Sequence, residues 1–214
     1  ISSSTPSSNL ESTTSTETTS TSTSTATSTL TATTSETAKL EVVINEIAWM
    51  GTKASDDNEW IELYNNTNGA IDLSGWVLKS ISGSPSITLS NSISANDFYV
   101  LERISSTTIS NINEDQIFTG VLNNVCEVLE LIDNSGNLQD KTICNGNNWP
   151  AGENQTGENI IRASMERINP NISGESLNNW CTYNKNDGAS LDATNSNPIL
   201  GTPKALNSCY LNSS

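Results

Sequence analysis

The chain has 214 residues, no histidine, and a formal net charge of −15 from 24 acidic and 9 basic side chains. Without histidine, Ser-His-Asp and Cys-His nucleophilic designs, HExxH zinc sites and histidine general bases are excluded. The bases are scattered, so no basic face exists for a nucleic-acid backbone or an anionic lipid surface. No run of 18 apolar residues is present to insert into a membrane as a helix. The simplest reading of the charge is a well-solvated acidic surface.

From Ile1 to Ala38, 27 of 38 residues are Ser or Thr, and only Ile1, Leu10 and Leu30 are large and apolar. Such a stretch buries too little apolar surface to offset its ordering entropy, which predicts a disordered segment. Its composition is that of an O-glycosylated stalk or of a plain flexible linker. Residues 39–209 change character and suffice for one domain with a real core. Residues 210–214 form a short polar tail. The chain begins at Ile1, so a leader, an anchor or a longer region is expected upstream.

The domain reads as many short strands. Leu40 to Trp49 is rich in β-branched residues and is the first. Met50 to Asp57 is a loop. Glu59 to Asn65 is the second strand, with Ile61 and Leu63 on one face and Trp60 and Tyr64 on the other. Asn65 to Gly69 is a turn, Ile71 to Gly75 a corner, and Trp76 to Ser80 the third strand. Ser86 to Leu89 reads as an edge strand and Phe98 to Arg103 as a strand; no convincing helix is found, Ser105 to Glu114 being the best place for a short one. Gln116 to Phe118, Cys126 to Asp133, Leu138 to Cys144, Ala163 to Ile168 and Trp180 to Thr182 complete the set. Closely spaced short strands indicate an all-β, antiparallel sandwich.

The four cysteines are Cys126, Cys144, Cys181 and Cys209, and they allow three pairings. Asn134-Ser135-Gly136 fits a three-residue hairpin loop with glycine in the left-handed position. That register pairs Asp133 with Asn137 and sets Cys126 opposite Cys144, within reach of a disulfide. Cys181 and Cys209 are then left for each other. No CxxC spacing supports zinc. Two disulfides imply an oxidising, extracellular or cell-surface location.

The ordered motifs NEIAW, EWIELYN, IDLSGW, FYVLER, LELIDNSGNLQD and the closing Gly201-Thr202-Pro203 with Asn207-Ser208 resemble those of the lamin tail domain. The resemblance runs from about Leu40 to Ser208. With Trp149-Pro150 and SMERINP it is similar to the bacterial secreted branch. It implies an immunoglobulin-like β-sandwich that binds, tethers or assembles and carries no chemistry of its own. No coiled-coil rod precedes the domain, and its acidity removes the DNA contacts of some nuclear members.

Candidate sites are few. Asp56, Asp57 and Glu59 offer hard oxygen ligands in one loop, a calcium candidate; no other cofactor is indicated. Trp149, in a Gly/Asn-rich loop, is the best candidate for exposed stacking on a sugar, although core packing is favoured even there and more so for Trp60 and Trp76. Asn65, Asn154, Asn171 and Asn212 lie in N-x-[ST] sequons. A carboxylate hydrolase could draw on Asp56, Asp57 and Glu59 or on Glu127 and Glu130, but adjacency in sequence does not make a cleft pair. The expected function is non-enzymatic: an extracellular structural or adhesion module on a Ser/Thr-rich stalk, binding a protein partner or itself. The alternative is a carbohydrate- or calcium-binding accessory module of a secreted hydrolase, with a surface polysaccharide as partner.

Overall fold

The computed structural model describes residues 40–185 and 190–210. The Ser/Thr-rich segment and Asn212 lie outside the described residues. Fourteen strands form in chain order: β1 (Val42–Ala48), β2 (Trp60–Asn65), β3 (Ile71–Asp72), β4 (Val77–Ser80), β5 (Ser86–Thr88), β6 (Ser92–Ile93) and β7 (Phe98–Arg103) come first. They are followed by β8 (Gln116–Phe118), β9 (Leu129–Ile132), β10 (Leu138–Lys141), β11 (Glu153–Gln155), β12 (Ile161–Ala163), β13 (Met165–Arg167) and β14 (Trp180–Thr182).

Two sheets make the sandwich. One has six strands in the order β14-β13-β1-β2-β7-β8, and the other has four in the order β10-β9-β4-β5. Pairing is antiparallel except between β7 and β8. The core between the sheets holds Ile44, Ile47, Ile61, Leu63, Tyr99 and Leu101 from the first, and Leu78, Ile87, Leu129 and Leu131 from the second. The small pairs β3–β6 and β11–β12 flank them.

The four-stranded sheet alternates as an antiparallel sheet with one wet face does: β4 and β9 bury every second residue. The six-stranded sheet does not alternate. All of β1 and all of β2 are buried. A bulge explains part of this. Ile44 faces Leu63, but Glu46 faces Glu62, so Asn45 is the extra residue. One inserted residue flips the faces that follow it. Without the bulge Glu46 would share the face of Ile44 and enter the apolar core. With it, Ile47 takes the core side and Glu46 goes to the opposite face.

That opposite face is covered by residues 200–210, here called the strap. A Cβ at Gly201 would lie 2.6 Å from Glu46 Oε1 and 2.9 Å from a Trp60 ring carbon. Only glycine lets the strap come this close.

The expected hairpin forms with a correction. Asp133 N–H donates to Asn137 O at 2.9 Å, and Gly136 has φ +86°. Past Leu138 the register shifts by one residue, so Asp140 faces Leu131. The ladder ends at Leu129 and Lys141, and both cysteines lie beyond it. Cys126 and Cys144 are nevertheless bonded, with Cα atoms 5.9 Å apart. Cys181 and Cys209 are bonded across 6.7 Å. The second bridge fastens the end of the strap to the edge strand β14.

No α-helix forms over Ser105 to Glu114, in keeping with the expectation of no convincing helix. Glu102 reaches into that segment and accepts the N–H groups of Thr108 at 2.8 Å and Ile109 at 3.2 Å. A side chain there takes donors that a helix would have needed.

Candidate functional site

The strap face carries the most unusual chemistry in the molecule. β13, β1 and β2 are neighbours, and Glu166 pairs with Glu46, which pairs with Glu62. Three glutamates therefore run in a row across three adjacent strands. All three are buried to 0% exposure. Like charges directly opposite one another in a sheet are destabilising, and buried ones far more so. The strap supplies donors to all three, and burial raises their pKa values, which favours the uncharged form.

Thr202 N–H donates to Glu46 Oε1 at 2.9 Å, and Ser164 Oγ donates to the same oxygen at 2.5 Å. Lys204 N–H donates to Glu62 Oε2 at 2.6 Å, and Asn45 Nδ2 to Glu62 Oε1 at 2.9 Å. Ser208 N–H donates to Glu166 Oε2 at 2.8 Å, and the Ser208 hydroxyl contacts the same atom. Asn207 closes the network, with Nδ2 donating to Arg167 O at 2.8 Å and to Asn45 O at 3.1 Å.

The Thr202 hydroxyl stands between two carboxyls of the row. Its Oγ1 lies 3.0 Å from Glu46 Oε2, 2.8 Å from Glu166 Oε1 and 3.3 Å from Asn207 Oδ1. A hydroxyl has one proton to give. These contacts are fully satisfied when one of the carboxyls is protonated and donates to Thr202. Burial, then the charges of Glu166 and Glu62, push the Glu46 carboxyl well above the usual range, against the hydrogen bonds from Ser164 and Thr202. Burial pushes Glu62 up to about 8, against donation from Lys204 and Asn45. Glu166 is raised by burial, against the bonds from Ser208 and Thr202.

Other buried carboxylates hold loops in the same way. Glu59 accepts Leu122 N–H at 2.9 Å, and burial raises its pKa to about 7. Glu102 is likewise raised by burial to about 7. Asp140 accepts Ile44 N–H at 2.8 Å and pairs with the fully buried Arg167 at 2.6 Å, which ties the two sheets together. Among the described residues eight acidic ones are buried: Glu46, Glu59, Glu62, Glu102, Glu127, Asp140, Glu166 and Asp192. The acidity of this chain is thus partly internal, which corrects the reading of it as surface charge.

Burial raises all three carboxyls, and the strap lies over them with its donors on their oxygens. These hydrogen bonds hold the strap down.

The structure places the sequence candidates elsewhere. Asp56, Asp57 and Glu59 do not converge. Asp56 pairs with Arg162 at 2.7 Å, while Asp57 and Glu59 face Arg103 at 3.1 and 3.4 Å. The carboxylates of the calcium reading are thus each paired with a guanidinium group. Trp149 is 6% exposed and stacks on Trp49 at 6.0 Å and 8°. Its Nε1 donates to Asn123 O at 2.7 Å, so the ring is core and offers no sugar platform. Asn65 is buried, and its Nδ2 donates to Gly69 O at 2.7 Å and Ser94 O at 2.9 Å, which excludes a glycan there. Asn154 and Asn171 are exposed; Asn154 contacts Arg162, and Asn171 Oδ1 accepts from Asn66 Nδ2 at 2.9 Å. Glu127 binds Ser80 Oγ at 2.6 Å, and Glu130 bridges Lys79 and Lys141 on the outer sheet face, so they form no cleft pair. Among the described residues, the one metal-sized group is Glu166 with Cys181 and Cys209. Those cysteines are bonded to each other and cannot act as thiolate ligands.

The three strap-face glutamates sit in NEIAW, EWIELYN and SMERINP, and their caps sit in the Gly201–Ser208 motif. A family model for the lamin tail domain matches residues 35–144. The chain belongs to the lamin tail domain family. No curated protein matches it. The matched stretch ends at Cys144, whereas the lamin tail fold of this chain continues through β13, β14 and the strap. Lamin tail domains are immunoglobulin-like modules of structure and interaction rather than catalysis.

The row was missed in the sequence although a signal was present. Glu62 stands between Trp60 and Tyr64 on one strand face. A glutamate flanked at i±2 by large aromatics is placed to be buried, because its neighbours need cover.

Proposed function

We propose that this chain is an extracellular or cell-surface structural or adhesion module of bacterial secreted type. Its lamin tail sandwich is presented on a Ser/Thr-rich, O-glycosylated stalk and joins protein partners or further copies of itself, as in a filament or surface layer. The two disulfides carry this reading, because such bonds persist in oxidising compartments. Family membership supports the interaction role. Among the described residues no helix is long and apolar enough to cross a membrane.

The contact surface we favour lies beside β8, at one end of the six-stranded sheet. Ile104, Ile117 and Val121 are 58%, 43% and 55% exposed there. Ile104 also has φ +69°, a region β-branched residues avoid. Backbone strain of this kind is held where it serves a site.

Protein isolated from its source should show no free thiols before reduction and should self-associate or retain a partner. Ile104→Asn, which suits the left-handed backbone, and Ile117→Lys should abolish that association without loss of fold. Free thiols throughout would sink the extracellular placement. Association unchanged in both variants would sink the β8 surface.

A further inference from the structure

At one end of the six-stranded sheet is a partly enclosed pocket of about 120 Å³. Its floor is Trp60 and Ala48, which are cross-strand partners. Ala48 is small, and the space above it is what a larger side chain would fill. Leu200 and Ile160 form apolar walls, Ile160 at a rim that is 39% exposed.

The polar part of the lining is one-sided. It comprises Thr52, Lys53 and Arg162 and includes no carboxylate. In a chain with 24 acids and 9 bases, a pocket with two bases and no acid departs from the surroundings. Thr52 Oγ1 accepts from Ala54 N–H at 3.2 Å and Asn58 Nδ2 at 3.4 Å, so its own proton is left to give. Lys53 is exposed and forms no ion pair among the described residues. Arg162 spends Nη2 on Asp56 and Nη1 on Asn154 and Gln155 O, and only its buried Nε has no partner. All three polar side chains here can donate, and the one acceptor, Thr52 Oγ1, already takes two hydrogen bonds.

We infer that this pocket binds a compact apolar group carrying one carboxylate: a branched aliphatic or single-ring body on Trp60 and Leu200, with its anion at Lys53 and Thr52. The volume suits that body, since a dry cavity of about 150 Å³ takes a benzene ring. A sugar would need acceptors as well as donors on the walls. A cation would meet Lys53. The same chemistry has two sources, a free carboxylic acid and the C-terminal residue of a polypeptide.

The test is a titration of the folded protein followed by two-dimensional NMR of the Gly51, Thr52 and Lys53 amides and the Trp60 indole. The probes are 3-methylbutanoate and phenylacetate as free acids, N-acetyl-leucine as the chain terminus, and N-acetyl-leucinamide and 3-methylbutylamine as controls. Saturable shifts are expected with the carboxylates, and binding weaker by about tenfold or more with the amide and the amine, as loss of a charge-assisted contact requires. Tighter binding of N-acetyl-leucine than of the free acids would assign the site to chain termini; the reverse order would assign it to small acids. Ile160→Trp should block the mouth and Lys53→Gln should weaken carboxylate binding alone, both without change in thermal midpoint. No saturable shift with any carboxylate, or equal binding of acid, amide and amine, would overturn the inference. Neither result bears on the β8 surface or on the disulfides.

Discussion

Each sheet of this sandwich carries a row of three charged residues across three adjacent strands, and the two rows obey opposite rules. On the four-stranded sheet, Lys79 faces Glu130, which faces Lys141. Signs alternate, the side chains are 21–40% exposed, and the ion pairs are 3.9 and 3.5 Å long. Water does most of the work there. On the six-stranded sheet, Glu166, Glu46 and Glu62 are all acids and fully buried. Burial raises their pKa values, and the backbone and hydroxyls of the strap end on their oxygens. A charged residue on a strand face therefore says little until it is known what lies over that face.

The largest break in this comparison should come from Glu46→Ala. It strips the acceptor from Thr202 N–H and Ser164 Oγ and opens a void, and it should cost about 3 kcal/mol or more in chemical denaturation. Gly201→Ala pushes a methyl against Glu46 and Trp60 and should cost about 1–3 kcal/mol. The strap should then exchange its amide hydrogens faster than β4 does, since it is the strap that must lift. Glu130→Ala, the matching deletion on the wet sheet, should cost under about 1 kcal/mol and less still in high salt. A loss at Glu130 as large as that at Glu46 would erase the distinction between the rows.

Much of the fold was legible in the sequence, and the reasons for the rest are physical. β1, β2, β4, β7 and the β9–β10 hairpin follow from β-branched and aromatic runs bounded by turn residues. β6, β11 and β12 did not, since Ser92–Ile93, Glu153–Gln155 and Ile161–Ala163 are too short or too polar to show a period. The bulge at Asn45 is silent in composition, yet it decides which face Glu46 takes. Cys126 and Cys144 were matched by a register that the shift past Leu138 moves by one residue; the bond forms because both cysteines lie beyond the ladder, where the chain adjusts. Trp149 offered an exposed contact because Gly and Asn surround it, but the favoured core reading holds: Trp49, a hundred residues away, covers its face. Asp56, Asp57 and Glu59 read as one cluster because they are close in sequence, while Arg103 and Arg162 arrive from distant strands and divide them.

The account turns on the buried glutamates being held with raised pKa values. A carboxyl whose folded pKa lies above its unfolded value contributes stability that is fully present below the unfolded pKa, near 4.5, and lost as pH rises through the folded one. Glu59 and Glu102 at about 7 and Glu62 at about 8 set the window from about 4.5 to 8, with Glu46 and Glu166 acting in the same direction. Asp72, Asp133 and Asp192 are shifted down, so their contribution is lost only as pH falls below the ordinary aspartate range. The most direct measurement is the unfolding free energy of the wild type and of Glu62→Gln at steps from pH 5 to pH 8. The wild type should lose stability steadily across that range, and Glu62→Gln, which cannot ionise, should lose less. A wild-type profile that is flat or rises toward pH 8, or a variant profile parallel to it, would contradict a protonated glutamate row beneath the strap.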